Sequence, residues 1–314
     1  MIVVLTGGSG GAKFVAGLAA LIPARELMVI VNTGDDITWW GLHVSPDLDS
    51  ITYALAGILS RERGWGVEGD TFHCLEAMRR AGARAWFQLG DRDLATHLRR
   101  TQLLLENKTL SEATAEIARS LGVQARILPM SDDRVETRVM TADGELNFQE
   151  YFVRERYQVA VRGVRFVGAE RARPAAGVLE AIAQADAVVV APSNPVTSLG
   201  PILAVPGIHT ALTQTRAPVA AISPIVGGTA VSGPAGELMK TQGLPVSIAG
   251  VARCYAEFLD VLIADEQDSA FGPSVGGVQA GYASTVMKSE ADRIALARSV
   301  LGFLHRQPME AAVS

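Results

Sequence analysis

The chain has 314 residues, of which 48% are hydrophobic and only 19% charged, enough apolar content for one large buried core and too much for a disordered chain. A net charge of −5 gives no electrostatic reason for a nucleic-acid or membrane-surface partner. Cys74 and Cys254 stand far apart without metal-ligand spacing and read as free thiols of a reducing compartment. No apolar run reaches the roughly 18 residues of a membrane span, and Met1 leads straight into the first strand, so a cytoplasmic location is expected.

Residues 2–5 are a continuous apolar, β-branched run, the pattern of a parallel strand covered on both faces, and Phe14, Val15, Leu18 and Leu21 recur at helical spacing. Between them, Gly7-Gly8-Ser9-Gly10-Gly11-Ala-Lys13 reads as a phosphate cradle, in which backbone N–H groups and a helix N-terminus face an anion and Lys13 adds a charge. It is not a Walker A loop, because Ala12 separates Gly11 from Lys13 and no hydroxyl follows. The dinucleotide fingerprint fails as well, since Lys13 stands where the third glycine belongs. The bland alternative is a tight βα turn whose glycines serve packing alone.

A second strand over 27–31 makes the opening β-α-β, and its end carries Asn32-Thr-Gly-Asp35-Asp36 beside the glycine loop. Helices are expected over 51–59, 71–80, 94–105 and 111–121, a helical insertion at about 50–121. Short β runs over 125–128, 135–141, 146–152 and 164–167, with Asp143-Gly144 as a hairpin turn, form a small β insertion at about 125–167. The alternation then resumes with a helix over 178–184, a strand over 187–191, a helix from 211, strands over 219–222 and 261–264 and a closing helix over 292–304. The expected fold is one doubly wound, mostly parallel Rossmann-like α/β domain over 1–314, with the first strand central.

The second strand end of interest is Pro192-Ser193-Asn194-Pro-Val-Thr-Ser, with short-range donors and a helix cap, and a third is Ser223-Pro-Ile-Val-Gly-Gly. Loops after parallel strands converge on one crevice. Asp35 and Asp36 at the second strand tip, Asp47 and Asp49 at the next helix start, and Asp91 and Asp93 further on are hard oxygen ligands near expected phosphates, the composition of a Mg2+ site. Each acid alone also reads as a solvated carboxylate or helix cap. His97, four residues after Asp93 on a helix, is read as a structural partner. Trp39, Trp40 and Trp65 offer flat apolar surface for a planar ring or for the core. With no Ser/His/Asp or Cys/His arrangement, chemistry that needs positioning, a cation and phosphate clamps fits best, which is phosphoryl or phosphodiester transfer.

Taken together, Gly7-Gly-Ser-Gly-Gly-Ala-Lys13, Val31-Asn-Thr-Gly-Asp-Asp36, Ser45-Pro-Asp-Leu-Asp49, Leu89-Gly-Asp-Arg-Asp-Leu-Ala-Thr-His97, Leu128-Pro-Met-Ser-Asp132, Ala191-Pro-Ser-Asn-Pro195 and Ser223-Pro-Ile225 resemble the 2-phospho-L-lactate transferases of coenzyme F-420 biosynthesis. The resemblance implies transfer from a guanosine-diphosphate-activated 2-phospholactate, or 2-phosphoenolpyruvate in the bacterial branch, to the ribityl hydroxyl of the deazariboflavin Fo, with release of GMP. It implies Asp35 as the Mg2+ ligand, Asp49 as the acid that holds Fo, and Ser193 and Asn194 as donors to the phosphates. Gln88 stands at an acceptor-site position where some members carry Lys. With Gly7, Gly8, Ser9, Gly10, Gly11, Lys13, Asn32, Asp36, Asp91 and Ser223 these complete the expected substrate site. The partners expected are small molecules, neither nucleic acid nor membrane, and a homodimer is compatible with the family. Two other readings share parts of the pattern: a nucleotide-sugar-binding regulatory protein of the same superfamily, and an NAD-dependent oxidoreductase, which Lys13 disfavours.

Overall fold

The computed structural model describes residues 1–304. The first strand, β1 (Ile2–Thr6), has Val3 to Thr6 buried, as both of its faces are covered. Gly7 leaves the sheet in extended backbone, and Gly8 turns at φ +67°, a value that a side chain opposes, so that α1 (Gly8–Ala19) starts at once. β2 (Leu27–Val31) follows, and a hairpin of β3 (Ile37–Trp39) and β4 (Leu42–Val44) leads to α2 (Pro46–Leu55), which begins at Pro46 because proline is pre-set for the first helical turn. Next come α3 (His73–Arg80), α4 (Asp91–Leu105) and α5 (Leu110–Ser120), the last opened by a capping box between Thr109 and Glu112.

β5 (Arg126–Pro129) precedes an antiparallel trio, β6 (Glu136–Thr141), β7 (Gly144–Asn147) and β8 (Val161–Val167). The alternation continues through α6 (Val178–Ala183), β9 (Ala187–Val190), α7 (Gly200–Ala204), α8 (Ile208–Gln214) and β10 (Val219–Ile222). After a small ribbon of β11 (Ile225–Val226) and β12 (Thr229–Ala230) come α9 (Ala235–Thr241), α10 (Ile248–Tyr255), β13 (Val261–Asp265), β14 (Ser274–Val275), β15 (Val278–Ala283) and α11 (Glu290–Leu304).

The main sheet has eight strands in the order β14-β15-β13-β10-β9-β1-β2-β5, parallel throughout except for the edge strand β14. Successive residues of each strand feed two separate apolar layers. Val3, Leu5, Val188 and Val190 pack with Val178, Ile208, Leu238 and Val251 of the helices on one face. Val4, Val29, Val189 and Ile222 pack with Phe14, Leu48 and Leu296 on the other. The fold is a doubly wound, mostly parallel, Rossmann-like sheet. β1 lies between β2 and β9, where the direction of winding reverses, and the crevice beyond its carboxyl end is the switch point at which such sheets bind ligands.

Several expectations shift. β1 is interior, sixth of eight, rather than central. The run at 125–128 is not part of the β insertion: as β5 it pairs with β2 and closes one edge of the main sheet. The run at 146–152 stops at Asn147, whose side-chain oxygen accepts the Glu150 N–H at 2.8 Å and turns the chain into the π-helical turn Glu150–Arg154. Of the helices at 50–121, α2 through Leu48 and Ile51 and α5 through Leu110 and Ala118 join the layer against the sheet, while Leu103 of α4 packs on Ala113 and Ile117 of α5. Among the described residues no single helix is long and apolar enough to cross a membrane.

Candidate active site

The carboxyl ends of β1, β2, β9, β10 and β15 open on one cleft of about 1060 Å³, the upper end of the range for small-ligand sites and room for two substrates. Gly8, Ser193 and Ser223 line it together, so the three loops do converge. Also in its lining are Gly7, Ser9, Gly10, Lys13, Asp35, Asp49, Gln88 and Asn194.

The glycine loop is less open than its sequence suggests. The Gly8 N–H, the first donor of α1, is already answered by Asp47 Oδ1 at 2.7 Å, while Asp47 Oδ2 accepts from Asn32 Nδ2 at 3.0 Å. Ser9, Gly10 and Lys13 remain turned to the cleft. Gly11 is a packing glycine and does not line it: a Cβ there would lie 1.7 Å from Thr6 Oγ1. Asn32 is likewise buried outside the lining, its Oδ1 accepting the Gly34 N–H at 2.8 Å.

The Ser193 hydroxyl donates to Gly7 O at 2.6 Å and so ties the β9 loop to the glycine loop, rather than offering its proton to a ligand. Asn194 uses its oxygen to cap the next turn, at 2.9 Å from the Val196 N–H, which leaves its amide nitrogen as the donor at the cleft. The Ser223 hydroxyl closes on Ile225, donating to its carbonyl at 2.8 Å.

Two acids at the centre are costly in ionised form. Burial, and then the neighbouring charge of Asp47, holds Asp35 well above the usual carboxylate range, and its Oδ1 is buried without a partner. Burial also raises Asp47 to about 6, against the opposing bonds from Asn32 and Gly8. Asp36 does not reach the cleft, because its Oδ2 accepts from His43 Nε2 at 2.9 Å and Ser45 Oγ at 2.7 Å.

Asp49 belongs to a buried network between α2 and α4. Arg100 grips both of its oxygens, Nη1 at 3.1 Å from Oδ2 and Nη2 on Oδ1. Arg100 Nη1 also reaches His97 Nδ1 at 3.3 Å, and His97 Nε2 lies 3.3 Å from Asp93 Oδ1. Tyr53 completes the group by donating to Asp93 Oδ1 at 2.8 Å; burial and the charges of Asp49 and Asp93 push its phenol up. Asp91, expected at the substrate, lies outside the lining. It accepts the His73 and Cys74 N–H groups at 3.0 and 2.9 Å and so closes the start of α3.

Sequence reading missed Arg100 and the lining residues Tyr53, Arg63, Phe148, Phe152, Arg156 and Lys288. A signal for Arg100 was present: Asp93, His97 and Arg100 recur at helical spacing with Leu103, a polar stripe on a face that buries. Trp39 and Trp40 pack together at 5.9 Å between centroids, outside the lining, while Trp65 and Trp86 line the cleft.

The model of the family described as "2-phospho-L-lactate transferase CofD" matches residues 2–276. The chain belongs to the CofD family. It is 43% identical over 302 residues to a 2-phospho-L-lactate transferase of Methanosarcina acetivorans, covering 96% of this chain and 98% of that one. It is 44% identical over 308 residues to a phosphoenolpyruvate transferase of Streptomyces griseus, covering 96% and 97%. A solved protein of the upf0052 family from Bacillus halodurans shares the fold at a TM-score of 0.63 and 18% identity, over 96% of this chain and 98% of that one. As a CofD-family member the chain is a transferase of the group linked to coenzyme F-420 biosynthesis.

Proposed function

We propose that this chain transfers an enolpyruvyl-2-phosphate or 2-phospholactyl group from a guanosine-diphosphate-activated donor to the ribityl hydroxyl of Fo, releasing GMP. The hydroxyl oxygen forms the new bond to the phosphorus that carries the three-carbon acid, the P–O–P bridge breaks with its electron pair leaving on the GMP phosphate, and the hydroxyl proton passes to water. What carries this reading is Asp35: a buried carboxylate oxygen without a partner, facing a cleft whose rim holds the glycine loop and Lys13. Among the described residues no three His, Cys, Asp or Glu side chains form a metal cage. That suits Mg2+, which takes one or two carboxylates and completes its octahedron with water and substrate oxygens. Asp35 is its ligand in this reading, and the ion supplies neutralisation of phosphate charge. Ser9, Gly10, Lys13 and the Asn194 amide hold the donor, while Asp49, fixed by Arg100, accepts the acceptor's hydroxyl.

The relatives named for phospholactate and for phosphoenolpyruvate are almost equally similar to this chain, so the donor is decided by assay. Purified protein is incubated with Fo, Mg2+ and each guanylylated donor (phospholactate, phosphoenolpyruvate, phosphoglycerate), with GMP release and product mass followed. Turnover is expected with the enolpyruvyl donor, and Asp35→Asn is expected to lower it at least 100-fold. Turnover with none of the three rejects the reading.

A further inference from the structure

Among the described residues, Arg63 in the cleft wall is held in place without an ion-pair partner. The loop at 58–70, which follows α2, is closed on itself: Leu59 bridges Val67, the Glu68 N–H donates to Ile58 O at 2.7 Å, and the Ser60 N–H donates to Gly66 O at 3.0 Å. Inside it the Arg63 guanidinium carbon lies 5.3 Å from the ring centre of Trp65 and 5.0 Å from that of Phe72. Nη2 donates to Val67 O at 3.0 Å, and Nε is buried without a partner. Both rings attract the charge. Of the loop's acids, Glu68 accepts instead from the Arg61 N–H at 2.8 Å, and Asp70 from the Arg92 and Asp93 N–H groups at 2.9 and 3.0 Å.

The loop also spans the two halves of the site. Gly64 packs against Ser9, a Cβ there falling 4.0 Å from that of Ser9, and Gly66 packs against Asp93, 3.9 Å from Oδ2. Arg63 thus lines the cleft between the glycine loop and the Tyr53, Asp93 and His97 group. A guanidinium anchored on Val67 O, set beside two aromatic rings and with further N–H groups unpaired among the described residues is suited to a planar or tetrahedral oxyanion. On the glycine-loop side, Gly8 N–H is already taken by Asp47, so the loop alone is short of donors for a polyanion.

We infer that Arg63 is an anion clamp in the cleft wall, binding an oxyanion of the donor beside the glycine loop. The inference rests on the reading of the cleft as the site of a phosphorylated donor. The oxyanion is either a phosphate of the nucleotide or the carboxylate of the three-carbon acid, and calorimetric titration separates them. GDP with Mg2+, the guanylylated phosphoenolpyruvate donor and Fo are each titrated into wild type, Arg63→Gln and Arg63→Lys.

Loss of one charge-assisted hydrogen bond weakens binding by about 10- to 100-fold. Arg63→Gln is expected to lose that much for the complete donor while Fo binds as in wild type, a split that a merely structural role does not produce. If GDP weakens equally, Arg63 holds a phosphate; if GDP is unchanged, it holds the carboxylate. Arg63→Lys keeps the charge and most of the stem, and is expected to recover only part of the affinity because an ammonium cannot stack or bond Val67 in the same plane. Should Arg63→Gln not fold, Arg63→Lys carries the test, and a wild-type donor affinity in it overturns the inference. Unchanged donor affinity in a folded Arg63→Gln overturns it too. A wild-type protein that binds neither GDP nor the donor removes the reading of the site itself.

Discussion

Asp49 and Arg100 meet as a two-pronged ion pair between α2 and α4, both side chains buried and 51 residues apart in the chain. Burial alone pulls the Arg100 guanidinium down, but Asp49, with smaller help from Asp36 and Tyr53, holds it above its ordinary value. Removing one partner of such a pair leaves an uncompensated charge inside the protein, at a cost of about 3–5 kcal/mol. Arg100→Leu is therefore expected to destabilise by that amount in urea unfolding. Arg100→Lys should restore less than half, since an ammonium cannot engage both oxygens. In whatever fraction of Arg100→Lys stays folded, the proposed role of Asp49 requires a raised KM for Fo; an unchanged KM argues against it.

The Asp35 and Asp47 pair sets the direction of pH dependence. Both carboxyls are raised in the folded state, Asp47 to about 6, so above their unfolded value near 3.8 and up to their folded values the folded protein binds more protons than the unfolded chain. Stability from these groups is therefore greatest below about pH 4 and falls as pH rises through 6. For Asp47 the loss is on the order of 3 kcal/mol. Asp35→Asn should raise Tm at pH 8 and flatten the profile, while Mg2+ should raise wild-type Tm more at pH 8 than at pH 5, because metal and proton compete for the same oxygens. A wild-type Tm that climbs between pH 5 and 8 without metal contradicts this.

Gly11 separates a packing role from a ligand-binding role within one loop. A Cβ at this position meets Thr6 Oγ1 at 1.7 Å and Ser193 Oγ at 3.0 Å. Gly11→Ala is expected to cost about 1–3 kcal/mol through overpacking. Adding Thr6→Ala removes the worst clash and should return part of the loss. Denaturant midpoints of the two variants check this, and a neutral Gly11→Ala shows that the strand can shift to admit a methyl group.

How much of this was legible depends on how local each determinant is. β1, β2 and β10 announce themselves as unbroken apolar runs, because a strand covered on both faces has no polar side to show. β15 did not, since Gln279 and Gly281 interrupt its pattern and its place depends on β13. α9 and α10 carry glycine near their starts and were passed over. At the site, the glycine loop and the acids could be read because their residue types are unusual for core strand ends. Which of them face the cleft could not: Asp36 and Asp91 look as available as Asp35 in sequence, and only their bonds to His43, Ser45, His73 and Cys74 take them away.

The position of β1 between β2 and β9 has a consequence for how the protein is made. The pairing of residues 2–5 with 187–190 must wait until the long stretch between them exists, and residues 285–288 reach the cleft only after β15 has joined the sheet. Closures of such length are slow, and partly built sheets expose unpaired edges meanwhile. The glycine loop is thus made before β9, and the wall that Lys288 adds is made after both. A molecule seated between them fastens together two segments that lie far apart along the chain, so occupancy should be felt in the unfolding rate of the whole domain.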